Sequence, residues 1–138
     1  MNLKEKVRSN AFGCCEYCLS QEDYSPDSFS LEHINPISKS GQTVFQNLAF
    51  SCQGCNNRKY TFIEWADPLS GNIFPLYNPR KDVWSDHFKW ADDYLIIIGL
   101  SPIGRATIDK LQLNRKNVVN LRKVLIASNL HPPIVSTE

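Results

Sequence analysis

Residues 46–59 are QNLAFSCQGCNNRK, and they contain a Cys-x-x-Cys pair formed by Cys52 and Cys55. A second pair with the same spacing, Cys15 and Cys18, lies nearer the start of the chain. Two thiolates held two residues apart can form one edge of a metal-binding tetrahedron, and a second pair can form the opposite edge. Two such pairs in a short chain from a reducing compartment are typical of zinc binding. The cysteines therefore predict one Zn²⁺ site made of both pairs.

Two disulfides, or free cysteines in the core, are alternative interpretations of the same residues. The first residues, MNLKEKVRSNAFGC, lack the apolar stretch of an export signal, which counts against disulfides. Cys14 is the fifth cysteine, and using it in place of Cys15 would give the less usual Cys-x-x-x-Cys spacing. Four thiolates fill the coordination shell of zinc, so we expect a structural rather than a catalytic ion.

The size and composition predict one small folded domain over residues 1–138. The chain has a mass of 15.8 kDa, with 42% hydrophobic and 21% charged residues, which allows a core and argues against disorder. Fifteen Lys and Arg residues against 14 Asp and Glu residues exclude a uniformly basic nucleic-acid coat. No apolar run is long enough to span a bilayer. We therefore expect a soluble cytoplasmic protein with no membrane partner.

A further motif, LEHINPISKSG at residues 31–41, lies between the two cysteine pairs. Together with residues 46–59 it resembles the HNH endonuclease family, of the His-Me finger or ββα-metal class. The shared pattern is an acidic residue and His, Ile-x-Pro, a Gly-containing loop, Asn-Leu and Cys-x-x-Cys-Asn-x-x-Lys. The resemblance covers roughly residues 15–60, and a softer likeness to small stand-alone HNH proteins extends over residues 75–125.

The resemblance implies an α+β fold. In it, a ββα-metal (HNH) motif braced by the four-cysteine zinc site is followed by a β-hairpin and C-terminal helices. We expect residues 1–66 to form the zinc-braced catalytic core and residues 67–138 to pack on it.

The resemblance also implies a role for each matching residue. His33 would be the general base that activates water, and Asn47 would brace the loop and orient His33. Glu32 and Asn56 would bind a catalytic divalent metal, although Glu stands where Asp is more usual. A satisfied core histidine is the alternative for His33, and ordinary loop bracing is the alternative for Asn47.

The chemistry of these residue types agrees with those roles. An imidazole with a pKa near neutrality can take a proton from water at physiological pH. Carboxylate and amide oxygens suit Mg²⁺ or Mn²⁺, which can neutralise charge developing on a phosphate. Arg58 and Lys59 are candidates for phosphate contacts. On a regular strand, however, Glu32 and His33 point to opposite faces, so one site needs the strand to end there or the phosphate to lie between them.

These inferences predict a metal-dependent endonuclease that hydrolyses phosphodiester bonds in DNA. The resemblance implies products with 5′-phosphate and 3′-hydroxyl ends. A zinc-stabilised nucleic-acid-binding module without catalytic activity is the main alternative, and a zinc-braced protein-interaction domain is another. The sequence leaves open whether the protein is a monomer or a homodimer.

Residues beyond the motif predict the C-terminal architecture. Residues 87–91 and 94–100 are expected to pair as a hairpin, and Ser101-Pro102 is a typical helix start. Asn114 is a candidate cap for a second helix. The residues expected to form the core of this half are Phe88, Trp90, Ile96, Ile98, Ile108, Leu111, Leu121 and Leu125.

Overall fold

The computed structural model describes residues 1–135 and has an α+β architecture of helices and two-stranded antiparallel sheets. The helices are α1 (Leu3–Asn10), α2 (Gln53–Lys59), α3 (Trp84–His87), α4 (Pro102–Leu111) and α5 (Lys116–Ala127). The strands are β1 (Ser30–His33), β2 (Leu48–Ser51), β3 (Glu64–Ala66), β4 (Ile73–Pro75), β5 (Phe88–Trp90) and β6 (Ile97–Gly99). The expected fold class is confirmed.

Strands β1 and β2 form an antiparallel hairpin, and α2 follows directly, so the three elements make the expected ββα unit. The register pairs His33 with Leu48 and Glu32 with Ala49. Every residue of β2 is buried, which fixes this strand in the core. The connection between the strands, residues 34–47, contains short 3₁₀ turns at Ile37–Lys39 and Phe45–Asn47.

The hairpin of β5 and β6 is present as expected, but the face of β6 that packs on the core is the opposite of the one predicted. Ile97 is buried, whereas Ile96 and Ile98 are exposed, so the prediction of Ile96 and Ile98 as core residues is wrong. Trp90 packs against the core and pairs with Ile97 across the hairpin, and paired residues project to the same face.

Helix α4 begins as predicted, whereas Asn114 does not cap α5. The Ser101 hydroxyl accepts a hydrogen bond from the Gly104 amide at 3.0 Å. The Asn114 side chain instead pairs with Ile97, accepting from its amide at 2.8 Å and donating to its carbonyl at 2.9 Å. Asn114 therefore joins the helical region to β6.

One cluster of buried residues includes side chains from both halves of the chain. Val7, Tyr17 and Phe50 belong to it, as do Leu76 and Leu111. The C-terminal elements thus pack on the ββα unit. Across residues 1–135, no helix has both the length and the apolar character needed to cross a membrane.

Candidate zinc site and active-site cleft

The four cysteines of the two Cys-x-x-Cys pairs meet in one buried cluster, as expected. Their sulfur atoms all lie within 4.8 Å of one another, and Cys18 Sγ is 3.7 Å from Cys52 Sγ. A tetrahedral zinc site with Zn–S bonds of about 2.3 Å places its sulfur atoms about 3.8 Å apart. All five cysteines are free of disulfides. The donor set and its spacing therefore fit a structural Zn²⁺ held by Cys15, Cys18, Cys52 and Cys55.

Cys14 lies outside this cluster. Its thiol is buried and lies 3.5 Å from the Phe12 carbonyl. Burial, helped by the charges of Cys18 and Asp23, raises the pKa of Cys14 to about 11, so the group stays protonated at neutral pH. The structure therefore favours Cys15, not Cys14, as the ligand.

Arg115 contacts the zinc site and was not singled out from the sequence. Its Nη2 lies 3.4 Å from Cys52 Sγ, and its Nη1 lies 3.5 Å from Cys55 Sγ. Four thiolates and one Zn²⁺ carry a net charge of −2, which a nearby guanidinium partly balances. Arg122 is a second cation near this site and, unlike Arg115, it is buried; its Nη2 donates to the Cys18 carbonyl at 3.3 Å.

His33 ends β1 and is half-buried, with its ring at the base of the 34–47 loop. His33 Nε2 lies 2.9 Å from the Thr43 hydroxyl. Within residues 1–135, the other ring nitrogen, Nδ1, makes no hydrogen bond. Thr43 thus orients the ring, and its position on an irregular loop gave no sequence signal for this contact.

Asn47 holds the two ends of the loop together. Its Oδ1 accepts from the Asn35 amide at 2.8 Å, and its Nδ2 donates to the carbonyls of Asn35 at 2.9 Å and Gln42 at 2.8 Å. Gly41 is needed for the same fold, because a side chain at this position would clash with the Asn35 carbonyl. These contacts fix the loop that carries Thr43.

Glu32, His33 and Asn56 line one surface cleft of about 340 Å³. The structure therefore brings together the candidate base and both candidate metal ligands. Pro36, Ile37, Ser38 and Tyr60 also line this cleft.

Glu32 is held differently from a free metal ligand. Its carboxylate is only 3% exposed, with Oε1 2.7 Å from Lys59 Nζ, and Oε2 accepts from the Tyr17 hydroxyl at 2.8 Å. Burial raises the pKa of Glu32, and the Lys59 charge and the Tyr17 hydroxyl oppose that shift. Within the described residues, the Lys59 ammonium group is the partner of the buried Oε1 atom.

Lys59 is not available for phosphate, which corrects the prediction from the sequence. Its side chain is 1% exposed, and Nζ donates to the Ile34 carbonyl at 2.9 Å in addition to its ion pair with Glu32. The cost of desolvating an ammonium group explains why Lys59 is paired so completely. Arg58, by contrast, is exposed and donates to the Gly54 carbonyl of its own helix at 3.2 Å.

Arg80 links the first cysteine pair to the loop of residues 34–47. Arg80 makes a two-point contact with Glu16, which lies between Cys15 and Cys18, at 3.0 Å for each bond. Its Nε also donates to the Phe45 carbonyl at 3.2 Å. Phe45 begins the 3₁₀ turn that ends at Asn47, so one side chain links both candidate sites.

Comparison with known families agrees with this geometry. Residues 15–62 match the family model of the HNH endonucleases. The match includes both cysteine pairs and the cleft residues Glu32, His33 and Asn56, so the resemblance found in the sequence is confirmed for this segment. Searches of curated proteins and of solved structures gave no match.

Proposed function

We propose that this protein, through its HNH segment at residues 15–62, is a metal-dependent endonuclease that hydrolyses phosphodiester bonds in DNA. The observation that carries the proposal is the shared cleft of Glu32, His33 and Asn56. Nucleic-acid binding alone needs none of these three groups. Phosphodiester hydrolysis needs a proton acceptor and oxygen ligands for a cation at one place.

His33 acts as the general base. In the tautomer that carries its proton on Nε2, this N–H donates to the Thr43 hydroxyl, and the lone pair of Nδ1 is free to accept a proton from water. The resulting hydroxide attacks phosphorus in line with the 3′ oxygen, which leaves as its bond to phosphorus breaks and takes up a proton from solvent. The products carry 5′-phosphate and 3′-hydroxyl ends. Asn47 maintains this geometry through the loop that carries Thr43.

Glu32 and Asn56 supply oxygen ligands of the kind that Mg²⁺ and Mn²⁺ prefer. The position of Glu32 and Asn56 in one cleft with His33 supports this assignment. Such a cation, when bound, neutralises charge developing on the phosphate and on the leaving oxygen. Lys59 then shares the carboxylate, because its Nζ lies 2.7 Å from Oε1. Exposed Arg58 contacts the phosphate backbone near the cleft.

A zinc-stabilised nucleic-acid-binding module without activity is the second candidate, and the buried Glu32–Lys59 ion pair favours it. An acidic residue already neutralised by an internal ammonium group has less attraction for a cation. On that hypothesis, the zinc site stabilises the fold, the exposed cations bind nucleic acid, and the cleft has no catalytic role. Under either hypothesis, we expect a cytoplasmic protein that is a monomer or a homodimer.

Incubation with supercoiled plasmid DNA separates the two candidates. The purified protein is tested with Mg²⁺ and with Mn²⁺, and EDTA and the His33→Ala variant serve as negative controls. His131→Ala is the matched control, because His131 lies outside the cleft. We expect nicked or linear product with wild type and His131→Ala only. Intact plasmid under every metal, with salt-dependent DNA binding retained, would establish the non-catalytic module instead.

A further inference from the structure

Tyr60 adopts a backbone conformation that is unusual for a residue with a side chain. It follows the last residue of α2, with φ 52° and ψ −125°. This region of backbone space is occupied mainly by glycine, because a Cβ atom there is sterically disfavoured. Strained positions of this kind cluster at functional sites.

Packing does not explain why a tyrosine occupies this position. The side chain is 70% exposed. Within residues 1–135, its hydroxyl makes no hydrogen bond and its ring contacts no other aromatic ring. Within the described residues, a large side chain is therefore kept at a strained position without a hydrogen bond or an aromatic contact that would favour it.

The position of Tyr60 relates it to the candidate active site. Tyr60 lines the same cleft as His33, so nucleotides that flank a phosphodiester at His33 come within reach of the ring. Lys39 donates to the carbonyl of the next residue, Thr61, at 3.1 Å, which places a positive charge at the backbone that follows Tyr60. Exposed Ile37 lines the cleft as well. An aromatic ring next to a cation is the arrangement that binds single-stranded nucleic acids.

We propose that Tyr60 stacks on an unpaired nucleobase next to the phosphodiester at His33. The cleft therefore takes single-stranded or locally opened nucleic acid in preference to an intact duplex. The face of a base is accessible to a protein ring only when that base is unstacked, whereas a duplex offers only edges and backbone. This inference rests on the proposed function, because it concerns the same cleft, but it is tested through binding rather than cleavage.

The test measures the affinity of the His33→Ala protein for a fluorescently labelled oligonucleotide, single-stranded and annealed to its complement. We expect tighter binding of the single strand. Adding Tyr60→Ala should weaken single-strand binding about 5- to 150-fold, the range measured for loss of one base–aromatic stack. Duplex binding should change little, and Tyr60→Phe should preserve the preference.

Tyr94→Ala is the matched control. Tyr94 is also an exposed tyrosine (46%) with a positive φ of 60°, but it does not line the cleft. The His33→Ala protein with Tyr94→Ala added should bind the single strand as tightly as the His33→Ala protein itself. Tyr60→Gly separates stacking from folding, because glycine accepts this conformation: its Tm should not fall, while single-strand affinity should fall as with Tyr60→Ala.

Cleavage and stacking can fail separately in this design. Loss of single-strand affinity in Tyr60→Ala, with affinity retained in Tyr60→Phe and Tyr94→Ala, supports the inference even if no plasmid is cut. Equal single-strand affinity of Tyr60→Ala and Tyr60→Phe overturns it even if the protein is an active nuclease. Tighter binding of the duplex than of the single strand also overturns it.

Discussion

The guanidinium of Arg115 lies where a side chain on Gly54 would begin. A Cβ atom on Gly54 would be 2.5 Å from Arg115 Nη2. The same group contacts Cys52 Sγ at 3.4 Å and Cys55 Sγ at 3.5 Å. The glycine inside the second cysteine pair thus allows a cation from the C-terminal part to approach the zinc ligands.

Replacing Arg115 with Met should weaken zinc binding. The change keeps much of the side-chain volume but removes the charge and the N–H groups that face two sulfur atoms. Loss of an outer-shell partner typically reduces metal affinity about 10- to 100-fold. Competition with a chromophoric zinc chelator measures the change. Lys116→Met, at the exposed neighbouring position, is the control and should retain wild-type affinity.

Gly54→Ala should have the same effect through the same group. The new methyl group displaces the Arg115 side chain and breaks both sulfur contacts. The double variant Gly54→Ala/Arg115→Met should therefore bind zinc about as well as Arg115→Met alone. Fully additive losses in the same chelator competition would show that the two residues act independently.

Cys52→Ser should lose zinc and the folded state together. A structural zinc site contributes about 10–16 kcal/mol in small zinc modules, which is as large as the whole stability of a typical domain, about 5–15 kcal/mol. Metal content and far-ultraviolet circular dichroism measure the two losses. Cys14→Ser should keep both zinc and fold, because its thiol lies outside the cluster. Zinc loss in Cys14→Ser would reverse the assignment of Cys14 and Cys15.

Thr43→Val should slow cleavage without affecting the fold. It removes the hydroxyl 2.9 Å from His33 Nε2, and Thr43 itself is exposed. Misorientation of a catalytic group costs on the order of 10- to 100-fold in rate. The rate of plasmid nicking and the Tm are the two measurements. Thr43→Ser keeps the hydroxyl and should stay close to wild type, and equal rates for the Val and Ser variants would contradict an orienting role.

Asp67 should make the protein sensitive to acid. Arg105 contacts its buried carboxylate at 2.9 and 2.8 Å and holds the pKa of Asp67 well below its usual range. A depressed native pKa stabilises the fold above the unfolded pKa of about 3.9, and that contribution is lost as the pH falls further. Acid also protonates the cysteine ligands and releases zinc, so the informative quantity is the difference in free energy of unfolding between wild type and Asp67→Asn, measured by denaturant with excess Zn²⁺ from pH 7 down to pH 3. This difference should be largest at pH 7 and should narrow as the pH falls to about 3.9 and below. In Asp67→Asn, stability should be lower at pH 7 and should change less over this range.

Local patterns predicted much of the fold, and distant partners were the part that they could not supply. The paired cysteines predict the zinc site, and Ser101-Pro102 predicts the start of α4, because each signal lies within a few neighbouring residues. Arg115 gave no signal, because its partners lie about 60 positions away and nothing near it marks a metal site. The sequence could place Glu32 and His33 on opposite faces of a strand, but it could not show that Glu32 forms a buried ion pair with Lys59.

The buried ammonium group of Lys59 means that folding and the proposed catalysis depend on different metal ions. Since Lys59 already neutralises Glu32, the chain has no buried negative charge here that needs an added cation in order to fold. On the proposed mechanism, zinc is thus required from synthesis onward, whereas magnesium or manganese is required only during a reaction. On the same mechanism, the protein stays folded during a shortage of magnesium and manganese and becomes active again when either ion returns.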